Sequence, residues 1–173
     1  MTDLTRPLIS ELEQEAKTTR RVIERVPADR LDFQPHPKAM TLGQLALHVA
    51  RIPGTMARMG RLDAFDTVNA KFNPDVPAGA DELLPTLEAS VTDALAFLGE
   101  LDEERATGPW RLHHGERDLM TLPRLVFVRT LMLNHWYHHR GQLVTYLRIL
   151  DVAVPSVYGP TADENPFAAA MAA

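Results

Sequence analysis

Four stretches of this sequence repeat apolar residues every three or four positions, and segments rich in proline or glycine separate them. That spacing places apolar side chains along one face of an α-helix. The first stretch runs from Leu4 through Leu8, Leu12 and Ile23 to Pro27, which disfavours helical geometry at the residue before it. Helices with one apolar face must bury those faces against each other, so we predict an all-α fold, a four-helix bundle.

The second helix has the clearest start signal. Thr41 is followed three positions later by Gln44, which is the pattern of a capping box. Pro53 has no N–H to bond the carbonyl of Val49, so the helix must kink or stop there. The helical spacing continues beyond the proline to Met59, which favours a kink.

Two further helices are predicted in the second half of the chain. The third begins near Asp81 and ends near Gly99. The fourth is the longest, from about Leu122 to Leu150, with Thr121 as its candidate N-terminal cap. The connections are longer than an up-down bundle needs, so we expect long loops with at least one crossover.

The remaining segments are less regular. Residues 63–79, which include Asn73 and Pro74, show no sustained period and are predicted to be a long connection. Apolar residues alternate around a turn between Trp110 and Met120, a pattern compatible with one short β-hairpin. A chain of 173 residues has the length of one typical domain. We therefore expect residues 1–173 to form a single domain with a carboxyl-terminal extension from about residue 154.

Composition excludes several kinds of site and partner. The formal net charge is −5 and the basic residues are scattered, so we expect no nucleic-acid partner. The chain has no cysteine, which excludes disulfides, thiolate metal sites and cysteine nucleophiles. The amino terminus is polar and no apolar run reaches the roughly 18 residues of a membrane span, so we expect a cytoplasmic protein without membrane contact.

Histidines are the strongest remaining candidates for chemistry. His135 and His139 are four residues apart, which places both on one face of the fourth helix, and His48 lies on the apolar face of the second. A histidine on such a face is more often a hydrogen-bonded core residue than a ligand. However, polar rings buried without partners cost about 1 to 3 kcal/mol each, and a shared metal ion would remove that cost. By spacing alone, His138 could replace His139.

Other polar side chains have weaker claims. Three histidines are interpreted as surface residues in loops or turns: His36, His113 and His114. Four residues border the histidine face and could orient an imidazole or simply stabilise the bundle: Asn134, Arg140, Gln142 and Tyr146. Arg140 could also pin the terminal loop through Asp163 or Glu164. Trp136 is predicted to pack between helices, because it lies about 100° around the helix from His135.

Two sets of motifs resemble the DinB family of metalloenzymes. The first set is HWYHHRGQL at 135–143, followed by YLR at 146–148 and VPSVYGPTADE at 154–164. The second is TLGQL at 41–45, followed by His48. The resemblance extends over nearly the whole chain and implies a four-helix bundle, often found as a homodimer.

The resemblance also implies a metal site. By its motifs, His48, His135 and His139 correspond to the three metal ligands, because His139 directly precedes Arg-Gly-Gln, and the metal is expected to be zinc or nickel. Three imidazoles without a fourth protein ligand leave a coordination position open, which is typical of catalytic zinc.

The family is similar to bacillithiol S-transferases and mycothiol-dependent maleylpyruvate isomerase, which suggests a reaction type. Because the chain has no cysteine, any thiol must arrive as a cosubstrate. We therefore expect a metal-dependent enzyme that acts on a small molecule, with a low-molecular-weight thiol as cosubstrate in an S-transfer. The alternatives are a metal-dependent hydrolase and a non-enzymatic metal-binding stress protein.

Overall fold

The computed structural model describes residues 2–70 and 75–171. Its α-helices are α1 (Arg6–Ile23), α2 (Leu42–Arg61), α3 (Leu83–Glu100), α4 (Glu103–Thr107), α5 (Arg124–Phe127), α6 (His135–Ile149) and α7 (Ala168–Met171). A π-helical turn, Val128–Asn134, joins α5 to α6. Short 3₁₀ turns are formed by Ala28–Arg30 and Ala80–Glu82. The strands are β1 (Ala64–Asp66), β2 (Pro109–His114) and β3 (Arg117–Pro123).

The helix α2 is central to the packing. It contacts α3, α6 and the π-helical turn, while α1 contacts α3 and α6. The largest apolar side chains of the shared core are Trp110, Trp136, Phe97 and Phe127, all fully buried. Across the described residues, no helix combines the length and apolar character required to cross a bilayer.

The start of α2 confirms the predicted capping box. The backbone N–H of Gln44 donates to Oγ1 of Thr41 at 3.2 Å, and the N–H of Thr41 donates to Oε1 of Gln44 at 2.9 Å. Both hydrogen bonds satisfy backbone groups that a helix terminus leaves without intrahelical partners. The capping box therefore stabilises the start of α2, the half of the helix that carries His48.

Pro53 does not end α2, which continues as an α-helix to Arg61. The proline leaves the carbonyl of Val49 without its usual intrahelical donor. The indole Nε1–H of Trp136 fills that position, at 2.9 Å from the Val49 oxygen. Trp136 is fully buried between helices, as predicted, and its hydrogen bond ties α6 to α2.

The carboxyl-terminal end of α2 is held in a similar way by side chains from other elements. The indole N–H of Trp110 donates to the Met59 carbonyl at 3.1 Å. The buried Arg124 donates from Nε to the Gly60 carbonyl at 2.9 Å and from a terminal nitrogen to the Leu62 carbonyl at 3.2 Å. The Gly60 and Leu62 carbonyls lie at the helix end, where intrahelical donors are lacking, while the Met59 carbonyl also accepts from the backbone N–H of Leu62 at 3.2 Å. The side-chain contacts also attach the hairpin and α5 to α2.

The fold is mostly helical, and the predicted short hairpin is present as β2-β3. Strand β1 extends it to a three-stranded sheet in the order β1-β2-β3, which the all-α prediction did not include. The β2-β3 hairpin is antiparallel and turns at Gly115, whose φ of 57° lies in the left-handed region that glycine adopts easily. Strand β1 pairs in parallel with β2 and lies in the segment that was predicted to be an irregular connection. Of that segment, Asn73 and Pro74 lie outside the described residues.

The fourth helical segment differs from its prediction at its start and in its middle. Thr121 is not its cap, because this residue lies in β3 opposite Arg111, and Pro123 directly precedes α5. The helical run from Arg124 to Ile149 is interrupted by the π-helical turn rather than being continuous α-helix.

Ion pairs hold the segment after Val154 against the helices, although not with the predicted partners. Arg148 pairs with Asp163, and Arg21 pairs with Glu164. The expectation that Arg140 binds Asp163 or Glu164 is wrong, since a different set surrounds its guanidinium: Glu15, Thr19 and Tyr158.

We expect the cost of Trp136→Phe to depend on Pro53. In the wild-type background the substitution leaves the buried Val49 carbonyl unpaired, a loss of about 1 to 3 kcal/mol in the free energy of unfolding beyond that of the lost ring volume. In a Pro53→Ala background, the new N–H at position 53 can donate to that carbonyl. Urea denaturation of the four proteins in a double-mutant cycle should give a coupling energy of about 1 kcal/mol. Additive effects would contradict this role for the indole.

Candidate metal centre

Three histidines from two helices converge beside the Trp136–Val49 contact. His48 is on α2, while His135 and His139 occupy the first turns of α6. Each ring offers one nitrogen such that these atoms all lie within 4.8 Å of one another, so the group can hold a metal ion. The centroids of the three rings are 4.6 to 5.2 Å apart and each side chain is half-buried. The predicted residues are thus brought together by the fold.

The spacing within the cluster matches that of metal ligands. Nε2 of His48 lies 3.3 Å from Nε2 of His135. Two nitrogens bound tetrahedrally to zinc at about 2.0 to 2.1 Å are separated by about 3.3 Å. Neutral imidazole nitrogens are also the chemical type of ligand that zinc and nickel bind well. The donor set and its spacing therefore fit a divalent ion of this class.

Hydrogen bonds on the far side of two rings decide which nitrogen faces the cluster. Nδ1 of His135 lies 3.3 Å from the carbonyl oxygen of Leu131, in the π-helical turn. Nδ1 of His139 lies 2.7 Å from Oε1 of Gln142. Both oxygens can only accept, so each Nδ1 carries the proton and each Nε2 keeps its lone pair.

The environment keeps the rings neutral. Burial, reinforced by His139 and His135, lowers the pKa of His48 to about 4. Burial also lowers the pKa of His135 and of His139, although the acceptors at Leu131 and Gln142 oppose the effect. Desolvation disfavours the charged form of an imidazole, and neighbouring rings disfavour a second positive charge. At neutral pH the lone pairs are therefore free to bind a cation.

The rival histidine, His138, is exposed and lies outside this group. Its ring stands next to that of His139, with centroids 4.9 Å apart. The surface interpretation holds for His36 and His114, which are exposed, whereas His113 is half-buried and contacts the Gly115 carbonyl through Nδ1 at 2.8 Å.

The four bordering residues have different roles. Asn134 is exposed, and Tyr146 donates its hydroxyl to the Met40 carbonyl at 3.2 Å. Arg140 is buried on the side of α6 that faces α1, where it pairs with Glu15. Gln142 is the member of the four whose side chain contacts a clustered histidine.

The Leu131 carbonyl was missed by sequence reasoning. A backbone acceptor carries no residue-type signal, and its position depends on the π-helical turn that ends at Asn134. Such turns occur often at functional sites, but the apolar spacing of this segment is compatible with an ordinary α-helix. The Gln142 contact could be anticipated, because residues three apart share a helix face.

Two of the cavities formed by the described residues lie elsewhere on the molecule. One, of about 270 Å³, is lined by α1 and α3, and includes Lys17, Leu87 and Val91. The other, of about 380 Å³, is lined by α2 and α3, and includes Arg51 and Ser90. Neither is lined by the clustered histidines.

Solved structures share this fold. A DinB-like protein from Bacillus cereus ATCC 10987 is 23% identical and superposes with a TM-score of 0.65, over 86% of this chain and 94% of that one. A second DinB-like protein, YjoA from Bacillus subtilis, is 18% identical with a TM-score of 0.67, over 87% of this chain and 97% of that one.

Sequence comparison agrees with the structural likeness. YrdA, an uncharacterized protein of Bacillus subtilis strain 168, is 24% identical over 155 residues, which are 88% of this chain and 86% of YrdA. The sequence profile of the DinB family matches residues 1–166, a range that includes both helices of the histidine cluster. On this evidence the chain belongs to the DinB family.

Proposed function

We propose that this protein binds one divalent metal ion, zinc or nickel, through His48, His135 and His139 inside a four-helix bundle. We further propose that it is an enzyme that transfers a small thiol to an electrophilic substrate. The observation that carries the proposal is the convergence of three neutral imidazoles, with the 3.3 Å separation of two Nε2 atoms.

The environment of the histidines supports a catalytic role over a purely structural one. The cluster offers three ligands, and structural zinc sites almost always have four. The three side chains are half-buried rather than sealed in the core, so a substrate atom can approach them. When bound, a divalent ion there would supply Lewis-acid chemistry that favours the thiolate form of a coordinating thiol.

The chain's own residues constrain the reaction. It has no cysteine, so the sulfur must come from a cosubstrate. In the proposed transfer, the thiol loses its proton to solvent and its sulfur forms a bond with an electrophilic carbon. The bond from that carbon to its leaving group breaks at the same time, and the leaving group departs with the electron pair and takes up a proton from solvent. The three imidazoles bind and orient the ion, while Gln142 and the Leu131 carbonyl hold two of the rings.

A non-enzymatic metal-binding protein is the second candidate. It is favoured by the position of the three histidines on two packed helices, where a bound ion would join α2 to α6 without any reaction. Metal content tests what both candidates share, and turnover distinguishes them.

We expect His48→Ala and His139→Ala to lose stoichiometric metal, because each removes one of three ligands. His138→Ala is the matched control, since this histidine is adjacent in sequence but exposed and outside the cluster. Elemental analysis of protein purified without a polyhistidine tag measures the outcome. Metal retained in His139→Ala and lost in His138→Ala would reverse the assignment of the third ligand.

The free energy of unfolding of the metal-free protein should fall as the pH drops from about 6.5 towards 4. In this range the unfolded chain protonates its histidines, whereas the pKa of His48 in the folded protein is lowered to about 4. Protonation of the histidines should also weaken metal binding, since a protonated ring cannot bind a metal ion. Because the pKa values of the three rings are lowered in the folded protein, we expect this weakening at a lower pH than that at which free imidazole protonates.

Urea denaturation between about pH 7 and pH 5 measures this effect, with His48→Gln as the control. The control removes one titrating ring and should flatten the pH dependence, while the carboxylates titrate alike in both proteins. Equal pH dependence in the two proteins would contradict the lowered pKa of His48.

A thiol screen tests the reaction. Bacillithiol, mycothiol, glutathione and coenzyme A are offered with an electrophile, using metal-loaded and metal-stripped protein. We expect thiol consumption with at least one of them, and only with metal. Metal-dependent ester or amide hydrolysis without thiol turnover would favour a hydrolase, and no turnover of either kind would favour the non-enzymatic candidate.

A further inference from the structure

Gln142 is an exposed side chain on α6 that hydrogen-bonds directly to a ring of the histidine cluster. Its Oε1 lies 2.7 Å from Nδ1 of His139, one helical turn earlier on the same face. This is a short hydrogen bond for a nitrogen donor and an oxygen acceptor. Because the Gln142 side chain is exposed, water could hydrogen-bond to its amide in place of His139. We therefore consider what the hydrogen bond does for the histidine.

The hydrogen bond selects between two forms of the ring. A neutral imidazole carries its proton on either nitrogen, and only the Nδ1–H form leaves a lone pair on Nε2. An acceptor at Nδ1 favours that form and also limits rotation of the ring. For His135 the backbone carbonyl of Leu131 has this role, whereas for His139 a side chain supplies it.

We propose that Gln142 is a positioning residue for the metal ion: it holds His139 in the tautomer and orientation that present Nε2 to the His48–His135 pair. This inference rests on the proposed function, because it takes His139 as a ligand. In this role Gln142 acts through its hydrogen bond to His139 rather than as a ligand of the ion. Comparable outer hydrogen bonds to metal-bound histidines typically contribute 10- to 100-fold to metal affinity.

The chemistry predicts different results for two substitutions. Gln142→Ala removes the acceptor, so Nε2 of His139 would be available only part of the time. Gln142→Glu keeps an oxygen acceptor at the same reach and adds negative charge, which increases the basicity of the imidazole. We expect zinc affinity about 10-fold weaker in the alanine variant and equal to or stronger than wild type in the glutamate variant.

Zinc affinity is measured by competition with a chromophoric chelator, with Gln14→Ala as the matched control. Gln14 is also an exposed helical glutamine, but it lies on α1, so its loss should leave the affinity unchanged. Two results would overturn the proposal: wild-type affinity in Gln142→Ala, or equal weakening in Gln142→Ala and Gln142→Glu. Equal weakening would mean that the shape of the side chain matters and its acceptor does not.

A second measurement reads the tautomer without metal. In metal-free protein labelled with ¹⁵N-histidine, NMR shifts distinguish the Nδ1–H from the Nε2–H form. We expect His139 of the wild type to be Nδ1–H, and Gln142→Ala to give a mixture. An unchanged His139 tautomer in Gln142→Ala would overturn the role of Gln142 even if zinc binds. A wild-type protein that binds no metal would instead overturn the proposed function, whatever the tautomer.

Discussion

A buried hydrogen bond joins the two helices of the candidate metal centre directly beside its histidines. Pro53 leaves the Val49 carbonyl without an intrahelical donor, and the indole N–H of Trp136 fills it. Val49 directly follows His48, and Trp136 directly follows His135, so the bond lies one residue away from each histidine. Because the indole and its acceptor are both buried, breaking the bond would strand a polar group in the core. This junction therefore lies beside the two Nε2 atoms, which are 3.3 Å apart.

The rotation of α6 about its axis is fixed from the other side of the helix. Its fully buried residues are Trp136, Arg140, Leu143 and Leu147. The guanidinium of Arg140 is enclosed by α1, where it pairs with Glu15 and donates to Thr19 at 3.0 Å. A buried charge with several partners has few alternative positions, because losing one partner is costly. His135 and His139 directly precede Trp136 and Arg140, two residues of this buried stripe, and therefore lie at the edge of the core.

Local sequence signals predicted the elements that depend on nearby residues. The capping box of Thr41 and Gln44, the end of α1 before Pro27 and the turn at Gly115 all depend on contacts within a few positions. Spacing also predicted the shared face of His135 and His139. The choice of His139 over His138 required the family motif, because both satisfy helical spacing and burial depends on tertiary packing.

Structural features that depend on residues far apart in the chain could not be predicted from local sequence patterns. Strand β1 is three residues long, which is too short to show an alternation of apolar and polar residues in the sequence. It is a strand because it pairs in parallel with β2. Thr121 has the chemistry of a helix cap, but pairing opposite Arg111 places it in a strand. The caps on the end of α2 come from Trp110 and Arg124, far along the chain. Tertiary context overrides local preference in each case.

For the proposed metal-dependent enzyme, the half-buried position of the histidines reconciles two opposing requirements. Burial lowers the pKa of each ring, with His48 at about 4, and so keeps lone pairs free near neutral pH. Complete burial would extend that effect but would close the coordination position that a substrate needs. Full exposure would admit the substrate but allow protons to compete with the metal near pH 6.5. A line of histidines one residue off the buried stripe of α6 satisfies both requirements, because it lies where the core ends and the surface begins.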